Sequence, residues 1–270
     1  MKEFEGHIVI VTGAASGIGA ATSKMFLERG ASVALWDISD AGLSVLTKAL
    51  AATYGESRVA GFVVNVAHED SVNQALAQVI SRWGHVNHLV NSAANFVAAG
   101  LKATFEQWQD VLTVNVIGPA MLTAKVSTHM PRESTIVNIS SISAHAAQPD
   151  RWTYNACKAA ILALTRGQAL DLRDHAIRVN SVSPGWIWTP EVARAAGDER
   201  ERWERVWGKY HILERLGEAD EVAEAVLFLS SKKASFITGT EVFVDGGYSA
   251  IGPEGLGETA KFAGATEPAN

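Results

Sequence analysis

The chain has 270 residues, 47% of them hydrophobic and 19% charged, so a sizeable core can be buried and wholesale disorder is excluded. Its formal net charge of -6 argues against a general nucleic-acid-binding surface, which needs clustered Lys and Arg. The single cysteine, Cys157, rules out an intrachain disulfide, and the early apolar run Ile8 to Val11 is too short for a signal-peptide core or a membrane span, so a soluble cytoplasmic protein is expected.

The chain then reads as alternating elements. His7–Val11 is a β-rich run followed by a glycine turn and a helical stretch to about Arg29. Ser32–Trp36 is a second strand, followed by a helix ending near Tyr54–Gly55; Arg58–Val64 is a third strand and Glu69–Trp83 a third helix. Val86–Val90 is a fourth strand, followed by one long helix over about Phe105–His129. Thr135–Ile139, a helix over about Thr153–Asp174 and Ile177–Val182 come next. Ala219–Ser230 is a last helix and Glu241–Val244 a last strand. Strands alternating with helices imply parallel pairing with right-handed crossovers, and continuous apolar strands imply a sheet covered on both faces. The expected fold is therefore α/β, a doubly wound Rossmann-type three-layer sandwich in a single domain over residues 1–248, with a C-terminal tail over 249–270. Ligands of such a fold sit at the carboxyl ends of the strands.

Two features at those ends point to a dinucleotide. Thr12-Gly13-Ala14-Ala15-Ser16-Gly17-Ile18-Gly19 joins the first strand to the first helix. Its glycines allow a tight turn, close approach of backbone N–H groups to a pyrophosphate, and packing of the helix on the sheet. Gly13, Ser16, Gly17, Ile18 and Gly19 are the expected contacts. Asp37 ends the second strand, where an acid hydrogen-bonds an adenosine ribose and repels a 2′-phosphate. With Ile38 beside it and no nearby Arg or Lys, NAD is favoured over NADP. Asn65-Val66 and Asn91-Ser92-Ala93-Ala94 close the third and fourth strands at the same edge. Asn65 either anchors adenine or satisfies loop backbone, and Val66 would flank the adenine.

A reacting constellation follows. Tyr154 and Lys158 are four residues apart and share one helical face, so a cation lies within reach of a phenol that ordinarily titrates near 10. That proximity favours phenolate and makes the tyrosine an acid/base. Ser141 ends the fifth strand and offers a hydroxyl to a substrate oxygen. Asn115 lies inside an apolar helical stretch, where a bound water or a local helix distortion would account for a buried amide.

Together these motifs resemble the single-domain short-chain dehydrogenase/reductase family over about residues 5–248. The likeness extends to Asn180 with Pro184-Gly185, and to Ile237-Thr238-Gly239 with Asp245-Gly246-Gly247. The resemblance implies seven parallel strands in the order 3-2-1-4-5-6-7 and a homotetramer. It implies Tyr154 as acid/base, Lys158 on the nicotinamide ribose, Ser141 positioning the reacting oxygen, and Asn115 holding a relay water. It further implies sheet support from Asn91, with Ala93 on the cofactor side, and carboxamide binding by Pro184, Gly185, Ile187 and Thr189. One departure stands out: the family's Asn-Asn-Ala-Gly reads Asn91-Ser92-Ala93-Ala94 here.

Substrate contacts are expected from Ser141, Asn95, His145, Gln148, Trp152 and Trp186, in a loop set that also holds Phe96, Arg151 and Trp188. Their mixture suits a polar, hydroxylated or acidic small molecule against aromatic faces. The resemblance places a lid over residues 190–212, which would exclude water from hydride transfer; its interleaved charges also suit a solvated surface helix. The histidines of His85-Val86-Asn87-His88 read as solvated turn residues rather than metal ligands, and no metal is expected. The expected reaction is NAD-dependent hydride transfer from a secondary alcohol such as a sugar, sugar acid, polyol or cyclic alcohol. The alternatives are an NADPH-dependent carbonyl or 3-oxoacyl-thioester reductase and a non-catalytic dinucleotide sensor.

Overall fold

The computed structural model describes residues 2–252 and 255. In chain order, β1 (Ile8–Thr12) leads to α1 (Gly17–Glu28), β2 (Ser32–Asp37) to α2 (Asp40–Tyr54), and β3 (Val59–Val63) to α3 (Glu69–Trp83). β4 (His88–Asn91) precedes α4 (Phe105–Leu112) and α5 (Gly118–Ser127), and β5 (Thr135–Ile139) precedes α6 (Trp152–Asp171). β6 (Arg178–Pro184) is followed by β7 (Ile187–Trp188), α7 (Pro190–Ala195) and α8 (Arg200–Trp207). β8 (Gly217–Glu218), α9 (Ala219–Ser230) and β9 (Glu241–Val244) complete the set.

Seven strands form one sheet in the order β3-β2-β1-β4-β5-β6-β9, every pair parallel. This is the expected doubly wound α/β sandwich in a single domain. Sequence reading passed over β7 and β8, which pair with each other in a separate two-stranded sheet through Ile187↔Gly217 and Trp188↔Glu218. Two-residue strands are too short to show an apolar period.

The layering follows from the pleat. Side chains alternate along a strand, so Val9 and Val11 of β1 enter one core with Phe26, Leu27, Val222 and Val226, while Ile8 and Ile10 enter the other with Val79, Leu122 and Val126. Helices α1, α2 and α9 cover the first face; α3, α5 and α6 cover the second. Each such aliphatic side chain stabilises the fold by about 1.5–3 kcal/mol on full burial. Strand order reverses direction between β1 and β4, and the crevice at their carboxyl ends is where this architecture receives a ligand.

The single helix expected over Phe105–His129 is broken. A π-helical turn over Thr113–Ile117 separates α4 from α5, with the Gly118 N–H reaching back to the Thr113 carbonyl. Pro119, at the start of α5, has no N–H to give. The distortion surrounds Asn115 and matches one of the two explanations for its burial. Among the described residues no helix is long and apolar enough to cross a membrane. Within the tail expected over 249–270, residues 253, 254 and 256–270 lie outside the described part.

His88 corrects the sequence reading. It is buried in β4, at the end of the sheet away from the crevice, with Nε2 2.8 Å from His7 Nδ1 and Nδ1 2.7 Å from Thr135 Oγ1. The rings of Phe4 and Phe26 pack on it. Burial, and secondarily His7 and Arg178, hold its pKa well below the ordinary imidazole value; burial also lowers that of His7. A histidine depressed in the folded state binds fewer protons there than in the unfolded chain, so its stability contribution is present above about pH 6.5 and is lost as pH falls. The melting temperature is therefore expected to drop between about pH 7.5 and about pH 5.5, and His88→Gln to flatten that slope even if it lowers the melting temperature throughout. An equal slope in the variant would assign the pH dependence elsewhere.

Candidate active site

The β1–α1 turn has no room for side chains at two of its glycines. A β-carbon on Gly19 would lie 2.1 Å from the Gly13 carbonyl oxygen, and one on Gly13 would lie 2.9 Å from both Cα and N of Ala93. Gly13 and Gly17 also take positive φ, +65° and +53°. Thr12 Oγ1 accepts from the N–H groups of Ser92 and Ala93, both at 3.0 Å, and so binds the end of β1 to the segment leaving β4. The Asp37 carboxylate faces the same turn: Oδ2 accepts from Ala15 N at 2.9 Å and Oδ1 from Ser39 N at 2.8 Å. Ile38 is exposed beside it. The result is a backbone cradle at a helix N-terminus with a fixed carboxylate at its rim, which fits a diphosphate and an adjacent ribose diol.

Further along the edge, Asn65 is occupied with its own loop, its Oδ1 accepting from Ala67 N at 3.0 Å, and Val66 is buried. Asn91 Nδ2 donates to Asn138 Oδ1 at 2.8 Å; Asn138 Nδ2 in turn donates to Thr165 Oγ1 and Gln168 Oε1, both at 3.0 Å. This buried polar chain joins β4, β5 and α6. Gly185 packs so closely on β9 that a β-carbon there would sit 2.8 Å from Asp245 Cα. Pro184 ends β6, Ile187 lies in β7, and Thr189 caps α7. Asn180 holds the Ile237–Thr240 turn through bonds to Ile237 O and Thr240 N.

The start of α6 is stapled to the end of β5. Lys158 Nζ donates to Ile139 O at 2.8 Å, and Ser140 Oγ donates to the Lys158 carbonyl at 2.9 Å. Lys158 is buried, and that burial lowers its pKa to about 8; its Nζ lies 5.3 Å from the Tyr154 ring centroid. Burial raises the Tyr154 pKa, opposed by the Ser141 hydroxyl and the Arg151 charge. Ser141 Oγ already accepts from Ser143 N at 3.1 Å, which leaves its proton free to be donated. Both ends of the Asn115 amide are paired with Asn95 backbone, N–H to Oδ1 at 2.7 Å and Nδ2 to O at 2.8 Å. Its side chain therefore shapes the loop after β4. Cys157 is buried beside it as a packing residue.

The expected substrate residues divide. Asn95 is set by Asn115, Trp186 and Gln148 lie beside Arg151, and Trp152 is exposed at the first turn of α6. His145 instead is committed to the sheet edge, where its Nε2 is 2.9 Å from both carboxylate oxygens of Glu241, a residue also bonded to Ser183. The Trp186 ring stacks on Trp207 at 4.7 Å, and Trp207 on Trp203 at 4.4 Å, which docks α8 against the β6–β7 corner. Arg200 ties α8 to Glu218 as well.

Residues 13–249 match a family profile described as enoyl-(acyl carrier protein) reductase. The chain belongs to the short-chain dehydrogenase/reductase family. This short-chain dehydrogenase/reductase is 36% identical to 3-oxoacyl-acyl-carrier-protein reductase FabG of Thermotoga maritima over 90% of its own length and 98% of the relative's. It is 35% identical to cis-4-hydroxycyclohexanecarboxylate dehydrogenase of Sinomonas cyclohexanicum, covering 93% and 99% of the two chains. The solved aldohexose dehydrogenase of Thermoplasma acidophilum superposes with a TM-score of 0.83 at 32% identity, covering 93% and 97%. An oxidoreductase of this family is thus the frame for the site.

Two findings in this short-chain dehydrogenase/reductase were not read from sequence. Ala94, where the family has glycine, is exposed and does not take positive φ, so its methyl is accommodated. Glu191 of α7 accepts from Ser16 Oγ at 3.1 Å and so reaches the glycine turn. The Thr-Pro-Glu start of α7 signals a helix N-terminus but not its neighbour 175 residues earlier. The turn itself yields a comparison. Gly17→Ala meets nothing closer than 3.4 Å and carries only a left-handed backbone cost of about 1–2 kcal/mol, whereas Gly19→Ala drives a methyl into a carbonyl. Thermal melts with and without dinucleotide should show Gly17→Ala folded and Gly19→Ala unfolded or unable to respond to the ligand; equal behaviour would refute this account of the turn.

Proposed function

We propose that the protein is an NAD-dependent dehydrogenase or ketone reductase that transfers hydride between a secondary alcohol and the nicotinamide, with Tyr154 as acid/base. The substrate range comprises sugars, sugar acids, polyols and cyclic alcohols. The observation that carries this reading is the convergence of the Gly13–Gly19 cradle, Asp37, Ser141, Tyr154 and Lys158 on one strand-end crevice. When bound, the nicotinamide supplies the hydride acceptor for oxidation and the donor for reduction.

The chain's own groups do the rest. Asp37 accepts from the adenosine ribose; its two oxygens keep acceptor capacity beyond Ala15 and Ser39. Lys158 keeps two N–H donors beyond Ile139 O, and they suit a second ribose. At neutral pH an ammonium with a pKa of about 8 is mostly charged, and the groups that draw the raised Tyr154 pKa back down are the Ser141 hydroxyl and the Arg151 charge. Tyr154 Oη takes the hydroxyl proton of the alcohol while Ser141 Oγ–H donates to the same oxygen; in reduction Tyr154 returns the proton. Residues 190–212, docked through Trp207 on Trp186, close the crevice against water. Exposed Phe105, Ile117 and Leu170 on the α4–α6 layer and Phe243 on β9 support a homotetramer.

The 3-oxoacyl-thioester reductase reading draws on the Thermotoga relative. Asp37 opposes its usual NADPH, because a 2′-phosphate would meet a carboxylate with no cation from Ile38 to Gly42 to offset it. Asp37→Ala is expected to reduce NAD-over-NADP preference by on the order of 10- to 100-fold, measured as dissociation constants. An unchanged ratio would remove the argument for NAD.

An NAD-coupled absorbance screen across sugars, aldonates, polyols and cyclic alcohols identifies substrates. In that assay Tyr154→Phe should lower turnover by roughly 10²–10⁴-fold while NAD still binds. Retained turnover would reject Tyr154 as the acid/base, and binding without turnover of any alcohol in the unaltered protein would favour a sensor.

A further inference from the structure

We infer that Arg151 determines specificity in the catalytic crevice by receiving the carboxylate of a hydroxy-acid substrate. The inference rests on the dehydrogenase reading and narrows its substrate class to anionic secondary alcohols.

Arg151 is the residue before α6, three positions ahead of Tyr154, and so lies on the tyrosine's side of the helix. Its guanidinium carbon is 5.2 Å from the Phe96 ring centroid and 4.9 Å from that of Trp186. Phe96 itself meets the Tyr154 ring edge-on at 5.1 Å. The guanidinium thus lies over two aromatic rings, one of them in contact with the acid/base.

The fork is also aimed. Nη1 donates to Gln148 Oε1 at 2.9 Å, and that oxygen accepts from Ser143 Oγ at 2.7 Å, so Gln148 is a positioning residue for Arg151. Among the described residues Arg151 forms no ion pair. The neighbouring Asp150 is turned away, its Oδ1 2.5 Å from where a Gly100 β-carbon would stand. The groups that favour the Arg151 charge are the phenols of Tyr154 and Tyr248, and no carboxylate is among them.

A half-buried cation without a counter-ion is costly, and five N–H donors with one in use leave a fork that matches a carboxylate bidentately. Lysine would lose both the fork and the planar contact with the rings. The substrate then binds by two ends. Its carboxylate meets Arg151, and its hydroxyl meets Ser141 and Tyr154. In oxidation the carbinol C–H bond breaks with its electron pair going to the nicotinamide as hydride, the hydroxyl proton goes to Tyr154 Oη, and a C=O bond forms. The carboxylate is a bystander.

The test pairs each member of a hydroxy-acid panel, aldonates included, with its primary amide, and measures kcat/KM in the NAD-loaded unaltered protein, Arg151→Gln and Arg151→Lys. The acids are expected to exceed the amides by on the order of 10²-fold in the unaltered protein, with the ratio collapsing toward one in Arg151→Gln and recovering only in part in Arg151→Lys. A ratio near one in the unaltered protein overturns the inference and does not depend on the variants folding. So does an Arg151→Gln variant that lowers kcat on acid and amide by the same factor, since the cation would then serve Tyr154 ionisation. Non-reacting deoxy acids and amides, titrated by tryptophan fluorescence, separate the two readings. An Arg151-dependent preference for the deoxy acids without turnover of any hydroxy acid keeps the anion site and rejects the dehydrogenase.

Discussion

The ammonium of Lys158 lies inside the sheet edge and donates a hydrogen bond to the carbonyl at the end of β5, 2.8 Å away, while the hydroxyl of Ser140 donates one to the Lys158 carbonyl. These two bonds set the second turn of α6 against one strand end. Helical spacing then leaves little choice: Tyr154, one turn earlier, comes over Ser141, and Arg151 comes to the mouth beside Phe96. Burial sustains this arrangement and also tunes it. It pulls the lysine down to about 8 and pushes the tyrosine up, so the ionisation of the phenol depends on the few charges admitted near it.

The other wall of the crevice is built by exclusion of side chains. Gly13 and Gly19 approach each other and Ala93 too closely for any β-carbon, and Thr12 sews the same loop to the end of β1. A chain of buried amides from Asn91 through Asn138 to Gln168 and Thr165 keeps the two walls in register, because it bonds β4, β5 and α6 together in a place where unpaired polar groups would be costly. Residues from the start, middle and end of the chain meet here since every strand in the sheet points its carboxyl end the same way.

Much of this was legible beforehand. Apolar runs located the seven strands of the main sheet, and glycine spacing located the cradle. The distance from Tyr154 to Lys158 placed both on one helix face. Where the reading stopped, the missing information was long-range. Nothing near His88 tells that His7 will meet it across 81 residues. The stretch from Phe105 to His129 looks continuously helical, and its π turn reflects the commitment of Asn115 to the Asn95 backbone. His145 sits among loop residues at the right edge of the sheet, yet Glu241 on the last strand claims it.

What the sequence determined by itself was the class of fold and the identity of the groups available for chemistry, because strand period, helix spacing and the steric demands of glycine are interactions between near neighbours. What only the tertiary structure decided was which of those groups have partners. Glu241 pairs with His145, Gln148 aims Arg151, and Trp186 and Phe96 flank it without supplying an anion. Pairing across the chain is a matter of packed distance, and packed distance is set by the sheet and its layers together.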